Sequence, residues 1–247
     1  MPLPHFFPNT KRIGAMHRID TMILDKRLNA AATLVPVGAR LADIGSDHAY
    51  LPITLCLENK IECALASDIN AGPVESARAN IAAAGLGQRI SAIKADGLDG
   101  ARDFAPDCIT VLGMGGELIV TILSRAEWIK DENITLVLQP MTHPEALAYY
   151  LAEGGFAIED ERVVCENERT DRAYRIIKAR YNGQVRKIDA IDAYVGRINL
   201  ERGDEDGKIY ASRTVYFLKN KINGKKQSGK DASAEQAIVS ELEKYIN

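Results

Sequence analysis

Apolar and polar residues alternate with two different periods along this chain, and the pattern predicts strands followed by helices. Short apolar runs are typical of buried strands, and apolar residues repeated every three or four positions are typical of helices. Strands are predicted over residues 40–45, 63–69, 90–96, 107–113, 134–140, 156–166 and 172–181. Helices are predicted over residues 22–34, 50–59, 72–85, 116–128 and 144–155. This order indicates βαβ units, a mostly parallel sheet and a final antiparallel pair of strands.

The pattern changes after about residue 182, where helical spacing continues without strand-like runs. Helices are predicted over residues 188–203, 209–223 and 234–247, separated by polar segments at 203–207 and 223–230. We therefore expect a Rossmann-like α/β domain over residues 22–181, with the strand arrangement of class I methyltransferases. A small helical extension, in the form of a hairpin, is expected over residues 182–247.

Composition narrows the function classes. The chain has 247 residues, of which 46 % are hydrophobic and 26 % charged, as in ordinary globular enzymes. No apolar run approaches the roughly 18 residues that span a membrane, and the first residues lack the continuous apolar segment of a signal peptide. We expect a cytoplasmic protein that does not bind membranes. The four cysteines and four histidines are scattered, so no metal site is predicted.

Charge is distributed unevenly around a net value of −3. Residues 207–230 contain seven basic residues and no acidic one. A second basic group near the start consists of Lys11, Arg12, Arg18, Lys26 and Arg27. Such patches are what contact with nucleic-acid phosphates requires, although a solvated helical surface gives the same pattern.

The sequence LADIGSDHAYLP, residues 41–52, connects the first strand to the next helix. Gly45 permits a tight turn, and Asp43 at the strand end can pair with a cationic group. A dinucleotide site needs further glycines where this chain has Asp47 and Tyr50, and Asp47 would repel a pyrophosphate. A cofactor with a sulfonium and an ammonium group tolerates this carboxylate. A tight turn without any ligand is the alternative.

Two further strand ends carry acidic residues. Asp68 ends the second strand, where a carboxylate can accept hydrogen bonds from ribose hydroxyls, although such a residue also serves as a helix cap. Asp96 and Gly97 end the third strand, where they can accommodate an adenine. After the fourth strand, the glycines of LGMGGEL, residues 112–118, are expected to form a loop with exposed N–H groups. No D/N-P-P-Y/F loop follows, which favours a ring nitrogen over an exocyclic amine as the methyl acceptor.

The segments ADIGSDHAYLPI, DINAGPVESARANI, KADGL, LGMGGELI and LVLQP resemble, in order and spacing, the bacterial tRNA (adenine-22-N1)-methyltransferase family. The resemblance covers residues 22–181, and residues 193–222 also look like the helical extension of that family. It implies S-adenosylmethionine as cofactor and methylation of adenine N1 in the D-arm of tRNA. One departure is Met141, which occupies a position where family members often have Asn.

Carried over position by position, the resemblance places several residues around the cofactor. Asp43 and Gly45 would contact its methionine part, Asp68 and Ile69 the ribose, and Asp96 and Gly97 the adenine. Gly113 and Met114 would lie close to the transferred methyl group.

Adenine N1 carries an in-plane lone pair, so no base has to remove a proton before methyl transfer. The enzyme must hold N1 about 3–3.5 Å from the methyl carbon and stabilise the positive charge that moves onto the purine. Asp47 is our candidate for that stabilisation, with His48 and Tyr50 shaping the base pocket. His48 could instead form only local hydrogen bonds.

Three functions remain open at this point. The first is tRNA adenine N1 methylation, the second is methylation of another RNA or a small molecule, and the third is non-catalytic binding of RNA or a nucleotide. The sequence leaves the oligomeric state open between monomer and homodimer.

Overall fold

The computed structural model describes residues 24–166 and 172–246. Its centre is a seven-stranded sheet with the order β3-β2-β1-β4-β5-β7-β6. Strands β1 to β5 are parallel, and β7 runs antiparallel to both β5 and β6. The strands are β1 (Ala39–Ile44), β2 (Ile61–Asp68), β3 (Ile90–Lys94), β4 (Cys108–Gly115), β5 (Thr135–Thr142), β6 (Phe156–Cys165) and β7 (Ala173–Tyr181). The predicted α/β class and the terminal antiparallel pair are confirmed.

Six helices connect or flank these strands: α1 (Lys26–Leu34), α2 (Tyr50–Leu57), α3 (Ala71–Ala83), α4 (Ala101–Phe104), α5 (Gly116–Ser124) and α6 (Pro144–Glu153). Helix α4 was not predicted because four residues are too few to show a period. The helix predicted over 116–128 ends at Ser124, and a 3-10 turn follows at Glu127–Ile129. Lys11, Arg12, Arg18 and the helical start predicted at Met22 lie outside the described residues.

The two faces of the sheet bury separate apolar clusters, because successive strand residues point to opposite sides. Leu41 of β1 belongs to a cluster with Ala31 of α1 and Ile53 of α2. The next residue, Ala42, belongs to a cluster with Ile119 of α5 and Leu147 of α6. Helices therefore cover both faces, and the carboxyl ends of β1 to β5 are left at one edge, where ligands of open α/β sheets bind.

The extension consists of α7 (Ala190–Tyr194), α8 (Arg197–Arg202), α9 (Glu205–Gln227) and α10 (Ser233–Ile246). The single helix predicted over 188–203 is wrong, because the chain turns at Gly196 with a φ of 84°. Both predicted polar breaks exist but differ in position: the first is confined to residues 203–204, and the second lies at residues 228–232. Asp204 caps α9 by accepting a hydrogen bond from the Gly207 N–H, and α9 continues through Gly224.

Helices α9 and α10 form the expected antiparallel hairpin. Lys219 pairs with Glu243 near one end, and Lys225 pairs with Glu235 near the other. Between the helices lies a third apolar cluster, which includes Leu218, Ile222, Val239 and Leu242. The cluster explains why a helix with Gly224 in its last turns persists, since packing outweighs a glycine penalty of about 1 kcal/mol.

A buried ion pair joins this extension to the sheet. Arg175 of β7 and Glu161 of β6 have side chains that are 0 % and 1 % exposed. The Arg175 guanidinium donates to Glu161 and also to the carbonyl oxygens of Ala193 (2.7 Å) and Asp192 (2.9 Å). Asn199 Nδ2 donates to Glu161 Oε2 at 3.3 Å. Burial raises the pKa of Glu161, and the adjacent guanidinium opposes that rise. These contacts fix α7 and α8 against the β6–β7 hairpin.

Helix α5 begins in close contact with the backbone that follows β5. A Cβ added to Gly116 would lie 2.2 Å from the carbonyl oxygen of His143. Since neither backbone can retreat without moving its strand, a glycine is required here to set the distance between the ends of β4 and β5.

Replacing Arg175 with Met should lower the free energy of unfolding by about 3–5 kcal/mol, because Glu161 would remain buried without its partner. Urea denaturation measures this loss. The control is Lys130→Met, which breaks the exposed Lys130–Glu127 pair and should leave stability nearly unchanged. Equal effects of the two substitutions would show that the buried pair does not anchor the extension.

Gly116→Ala should destabilise the protein by about 1–3 kcal/mol, because the new methyl group overlaps the His143 carbonyl. Gly224→Ala is the matched control, since Gly224 lies in α9 with no heavy atom within 4 Å of the added Cβ. That control should be neutral or stabilising by up to about 1 kcal/mol. Thermal unfolding of both variants checks the pair, and a fully stable Gly116→Ala protein would contradict the packing argument.

Candidate active site

A crevice of about 210 Å³ opens at the carboxyl end of β1. It is lined by the turn that follows β1 and by the start of α1. The structure brings five of the predicted site residues together here, and it adds two that sequence analysis had not assigned to a site. The five are Asp43, Gly45, Asp47, His48 and Tyr50, and the two are Asp25 and Arg27.

Asp43 is the buried acid of this crevice. Its carboxylate accepts hydrogen bonds from Ser46 Oγ at 2.5 Å and Thr110 Oγ1 at 2.6 Å. Burial raises the pKa of Asp43, while the two hydroxyls and nearby Arg27 act in the opposite direction. The side chain is thus held rigidly at the strand end, and a bound cation would favour its ionised form.

The turn after β1 uses left-handed backbone conformations. Gly45 has a φ of 71°, and an added Cβ would lie 2.2 Å from Met114 Cε. The missing side chain therefore makes room for Met114, a reason that the sequence did not reveal. Asp47 and Ala49 are also left-handed, with φ values of 49° and 58°. Asp is among the residues that tolerate this region, whereas Ala is not.

The predicted base-pocket residues lie side by side at the mouth of the crevice. The rings of His48 and Tyr50 are stacked, with centroids 5.1 Å apart and planes inclined by 18°. His48 Nε2 lies 3.5 Å from Asp47 Oδ2. Asp47 and Tyr50 are exposed. An exposed carboxylate beside a stacked aromatic pair suits a planar, positively charged group.

The other predicted cofactor residues follow the neighbouring strands of the same edge. Asp68 ends β2, and its Oδ1 accepts a hydrogen bond from the Asn70 N–H at 2.9 Å, so it also stabilises the turn. Ile69 is exposed beside it. After β3, Asp96 Oδ2 lies 2.9 Å from Arg125, a partner that the sequence did not indicate. Gly97 has a φ of 58°.

The glycine-rich segment after Leu112 differs from the expected loop. Residues 113–115 continue β4, with Met114 opposite Pro140 and Gly115 opposite Thr142 of β5. The N–H of Gly113 is not free but donates to Gln139 Oε1 at 2.9 Å. The prediction of exposed N–H groups here is therefore wrong for Gly113, because the glycines allow irregular pairing with β5 to continue.

Arg27 and Gln139 form a network that sequence analysis missed. Arg27 Nη1 donates to Gln139 Oε1 at 3.1 Å, and its guanidinium lies 5.9 Å from the centroid of the Tyr174 ring. Gln139 is fully buried and donates to the carbonyl oxygen of Pro140. Arg27 thereby links α1 to the ends of β4, β5 and β7. The sequence marked it only as one residue of a basic group, since 112 positions separate it from Gln139.

The basic stretch 207–230 is more neutral than its sequence suggests. Lys219 lies 2.7 Å from Glu243, and both Lys221 and Lys225 pair with Glu235, at 3.3 and 2.7 Å. The acids come from α10, so two carboxylates pair with three of the seven cations and offset two of their positive charges.

The described residues show neither a metal-binding cluster nor a membrane-spanning helix. Across residues 24–166 and 172–246, no cluster of three or more His, Cys, Asp or Glu side chains is placed to hold a metal ion. In the same ranges, no helix has the length and apolar character needed to cross a membrane.

Comparisons with known proteins agree with the α/β fold. A family model described as a methyltransferase domain matches residues 24–177. The tRNA (adenine(22)-N(1))-methyltransferase of Bacillus subtilis (strain 168) is 35 % identical over 175 residues, which are 71 % of this chain and 72 % of that protein.

Two solved structures extend the comparison to the helical part. A Streptococcus pneumoniae protein, named as a candidate tRNA (m1A22) methyltransferase and solved with S-adenosyl-L-methionine, is 29 % identical with a TM-score of 0.78, covering 91 % of this chain and 100 % of that one. The B. subtilis m1A22 tRNA methyltransferase TrmK is 28 % identical with a TM-score of 0.74, covering 91 % and 96 %. This chain belongs to the tRNA (adenine(22)-N(1))-methyltransferase family.

Proposed function

We propose that this protein transfers a methyl group from S-adenosylmethionine to N1 of adenine 22 in the D-arm of tRNA. The observation that carries the proposal is the acidic crevice at the carboxyl end of β1, in a chain that is 35 % identical to a tRNA (adenine(22)-N(1))-methyltransferase. In this proposal the reaction takes place in the cytoplasm, where both S-adenosylmethionine and tRNA are present.

The charges of the crevice fit this cofactor. S-adenosylmethionine supplies an electrophilic methyl group on a sulfonium and also carries an ammonium group. Asp43 and Asp47 line the crevice, and a negatively charged carboxylate attracts a cationic group. In our assignment Asp43 and Gly45 hold the methionine part, and Gly113 with Met114 flank the reacting centre. The Met114 side chain reaches the turn after β1, since its Cε lies 2.2 Å from the place that a Cβ on Gly45 would occupy. This position supports the role of Met114 beside the reacting centre.

The remaining cofactor assignments follow the strand order. Asp68 and Ile69 at the end of β2 hold the ribose, through the carboxylate and an exposed apolar side chain. Asp96 and Gly97 after β3 accommodate the adenine. Asp96 is fixed by Arg125, which leaves its second carboxylate oxygen for an amino group.

The target base enters from the side of Asp47, His48 and Tyr50. No proton has to leave N1 before attack, so these residues position and stabilise rather than act as a base. The His48–Tyr50 pair offers a flat surface for the purine, and Asp47 offsets the positive charge that forms on it. Arg27, held by Gln139, is placed to meet the phosphate of the extruded nucleotide.

We also propose a division of labour along the chain. Residues 22–181 carry the chemistry, and residues 182–247 orient the tRNA. Since two glutamates of α10 pair with three lysines of α9, the net positive charge available to phosphates is smaller than the sequence suggested.

The deciding experiment is methylation of unmodified bulk tRNA by the purified protein, followed by nucleoside analysis. We expect 1-methyladenosine at position 22. A protein that binds S-adenosylmethionine in calorimetry but forms no 1-methyladenosine would contradict the proposal. A protein that does not bind the cofactor would contradict the crevice assignment as well.

Asp68→Asn should weaken S-adenosylmethionine binding by about 1–3 kcal/mol, because a charge-assisted contact to the ribose is lost. Asn keeps the acceptor oxygen that Asn70 needs, so the turn is preserved. Calorimetric titration measures the change. The control Glu62→Gln, at the opposite end of β2, should bind the cofactor as the parent does. Parent-like affinity of a folded Asp68→Asn protein would remove Asp68 from the ribose site.

Asp47→Asn should lower the rate of methyl transfer by about tenfold to a thousandfold while cofactor affinity changes little. Asn is chosen because it tolerates the φ of 49°, whereas Ala would add backbone strain to the loss of charge. Single-turnover rates at saturating tRNA report the effect. An unchanged rate would assign charge stabilisation to another group.

A further inference from the structure

A second depression lies beside the crevice, on the side of the extension. It has a volume of about 360 Å³ and runs between residues 141–145, which end β5 and begin α6, and one side of α9. We call it the β5–α9 groove. Its lining includes Met141, Glu145, Tyr194, Tyr210, Arg213 and Phe217. The volume lies within the range of small-ligand sites in proteins.

Arg213 brings an unused hydrogen-bond donor to this groove. Its Nη1 is buried and has no hydrogen-bond partner among the described residues. A buried guanidinium N–H without an acceptor is unfavourable, and folded proteins rarely leave one unpaired. Among residues 24–166 and 172–246 no acceptor meets this N–H, so the groove offers a donor to a bound group.

The groove also exposes apolar surface. Phe217 is 55 % exposed and Met141 is 50 % exposed, although both are large apolar side chains. Two tyrosines complete the wall, and burial raises the pKa of Tyr194 and of Tyr210 to about 12, so both stay neutral at physiological pH. Aromatic and thioether groups around a flat space are typical of sites where an unstacked base is held.

The charges favour a base over a row of phosphates. The groove contains the Arg213 cation and the Glu145 carboxylate, and His143 Nδ1 lies 3.4 Å from Glu145 Oε1. A phosphate would meet repulsion from Glu145. The edge of a nucleobase carries acceptors for a guanidinium and donors for a carboxylate on one flat ring.

The end of β5 connects the groove to the crevice. Gln139 contacts Arg27 in the crevice, and Met141, two residues further along β5, lines the groove. Gln139 Nε2 also donates to Met141 Sδ at 3.4 Å, so one buried side chain links the crevice to the groove. An RNA segment that places its target base in the crevice can therefore extend to the groove.

We propose that the β5–α9 groove binds the base of a tRNA nucleotide that neighbours the target adenine, with Phe217 against the ring and Arg213 on its acceptor edge. This inference rests on the proposed function. It makes the extension a reader of the substrate base and not only a contact for its backbone.

The test compares two groove variants, Phe217→Ala and Arg213→Gln, with two controls on the same helix. Tyr216→Ala removes a neighbouring aromatic ring that is 70 % exposed and does not line the groove. Lys208→Gln removes one positive charge outside the groove. Binding of unmodified tRNA is measured by filter binding at several salt concentrations, cofactor binding by calorimetry, and folding by thermal unfolding.

Each groove variant should bind tRNA about tenfold more weakly than its control, with unchanged affinity for S-adenosylmethionine. The salt dependence should stay that of the parent, because no phosphate contact is lost. Arg213→Lys keeps the charge but loses the planar fork, so it should show most of the defect. If Arg213→Gln fails to fold, Phe217→Ala against Tyr216→Ala still decides the matter.

Two results would overturn the proposal: equal tRNA affinity of Phe217→Ala and Tyr216→Ala, or a shallower salt dependence in Arg213→Gln, which would mean a phosphate contact. Either result beside a parent that forms 1-methyladenosine rejects the groove and leaves the proposed function intact. A parent that forms none rejects the proposed function, and the groove proposal with it.

Discussion

The buried ion pair between Arg175 and Glu161 positions the helical extension, and with it the surface proposed to bind tRNA. Neither charge can be left alone in the interior, and each also bonds to groups from α7 and α8. Gly196 is part of the same constraint, because an added Cβ would lie 2.0 Å from Glu161 Oε2. Through this pair, the β6–β7 hairpin fixes the extension, and the extension brings α9 to the end of β5. Removing residues 183–247 would also remove three partners of the pair, so the extension cannot be detached without cost to the α/β core.

The spacing of apolar residues was sufficient to predict the strands of the sheet, but it was not sufficient to predict the helix boundaries of the extension. Strand β1 is predicted over 40–45 and found at Ala39–Ile44, because a buried strand of a parallel sheet has apolar residues on both faces and reads as a short apolar run. In α9, local chemistry misled the prediction. The break is shorter than predicted, because residues 205–207 form the first turn of α9 under the Asp204 cap. Gly224 is tolerated because Ile222 and its neighbours pack on α10. Such tertiary compensation leaves no local signal.

The same distinction separates the parts of the site. Asp43, Gly45 and Asp47 could be proposed from sequence because strand ends of a parallel sheet meet at one edge. Arg27, Arg125 and Arg213 could not, since the partners of Arg27 and Arg125 lie far along the chain and the buried Nη1 of Arg213 has no hydrogen-bond partner among the described residues. Counting charges along the sequence failed for the same reason that apolar periodicity failed in α9: the compensating residues lie on another helix. The lysines of α9 look unopposed in sequence, and the acids that neutralise them lie across a turn in α10.

This neutralisation has a consequence for how tRNA is held. Extruding an adenine from a stacked arm costs a few kcal/mol, and something in the complex must offset it. Phosphate contacts from paired lysines offset little, because each lysine would first have to leave its glutamate. Contacts to bases are free of that competition and contribute about 1–3 kcal/mol for each stacked base. The crevice offers the stacked rings of His48 and Tyr50, and the β5–α9 groove offers Phe217 beside a guanidinium N–H that has no acceptor among the described residues. Both surfaces are fixed to the end of β5 by Gln139 and by the contact of Gly116 with the His143 carbonyl. A rigid spacing between two base sites selects an RNA in which two nearby bases can leave the stack together, which is a requirement on shape that a cationic surface alone would not impose.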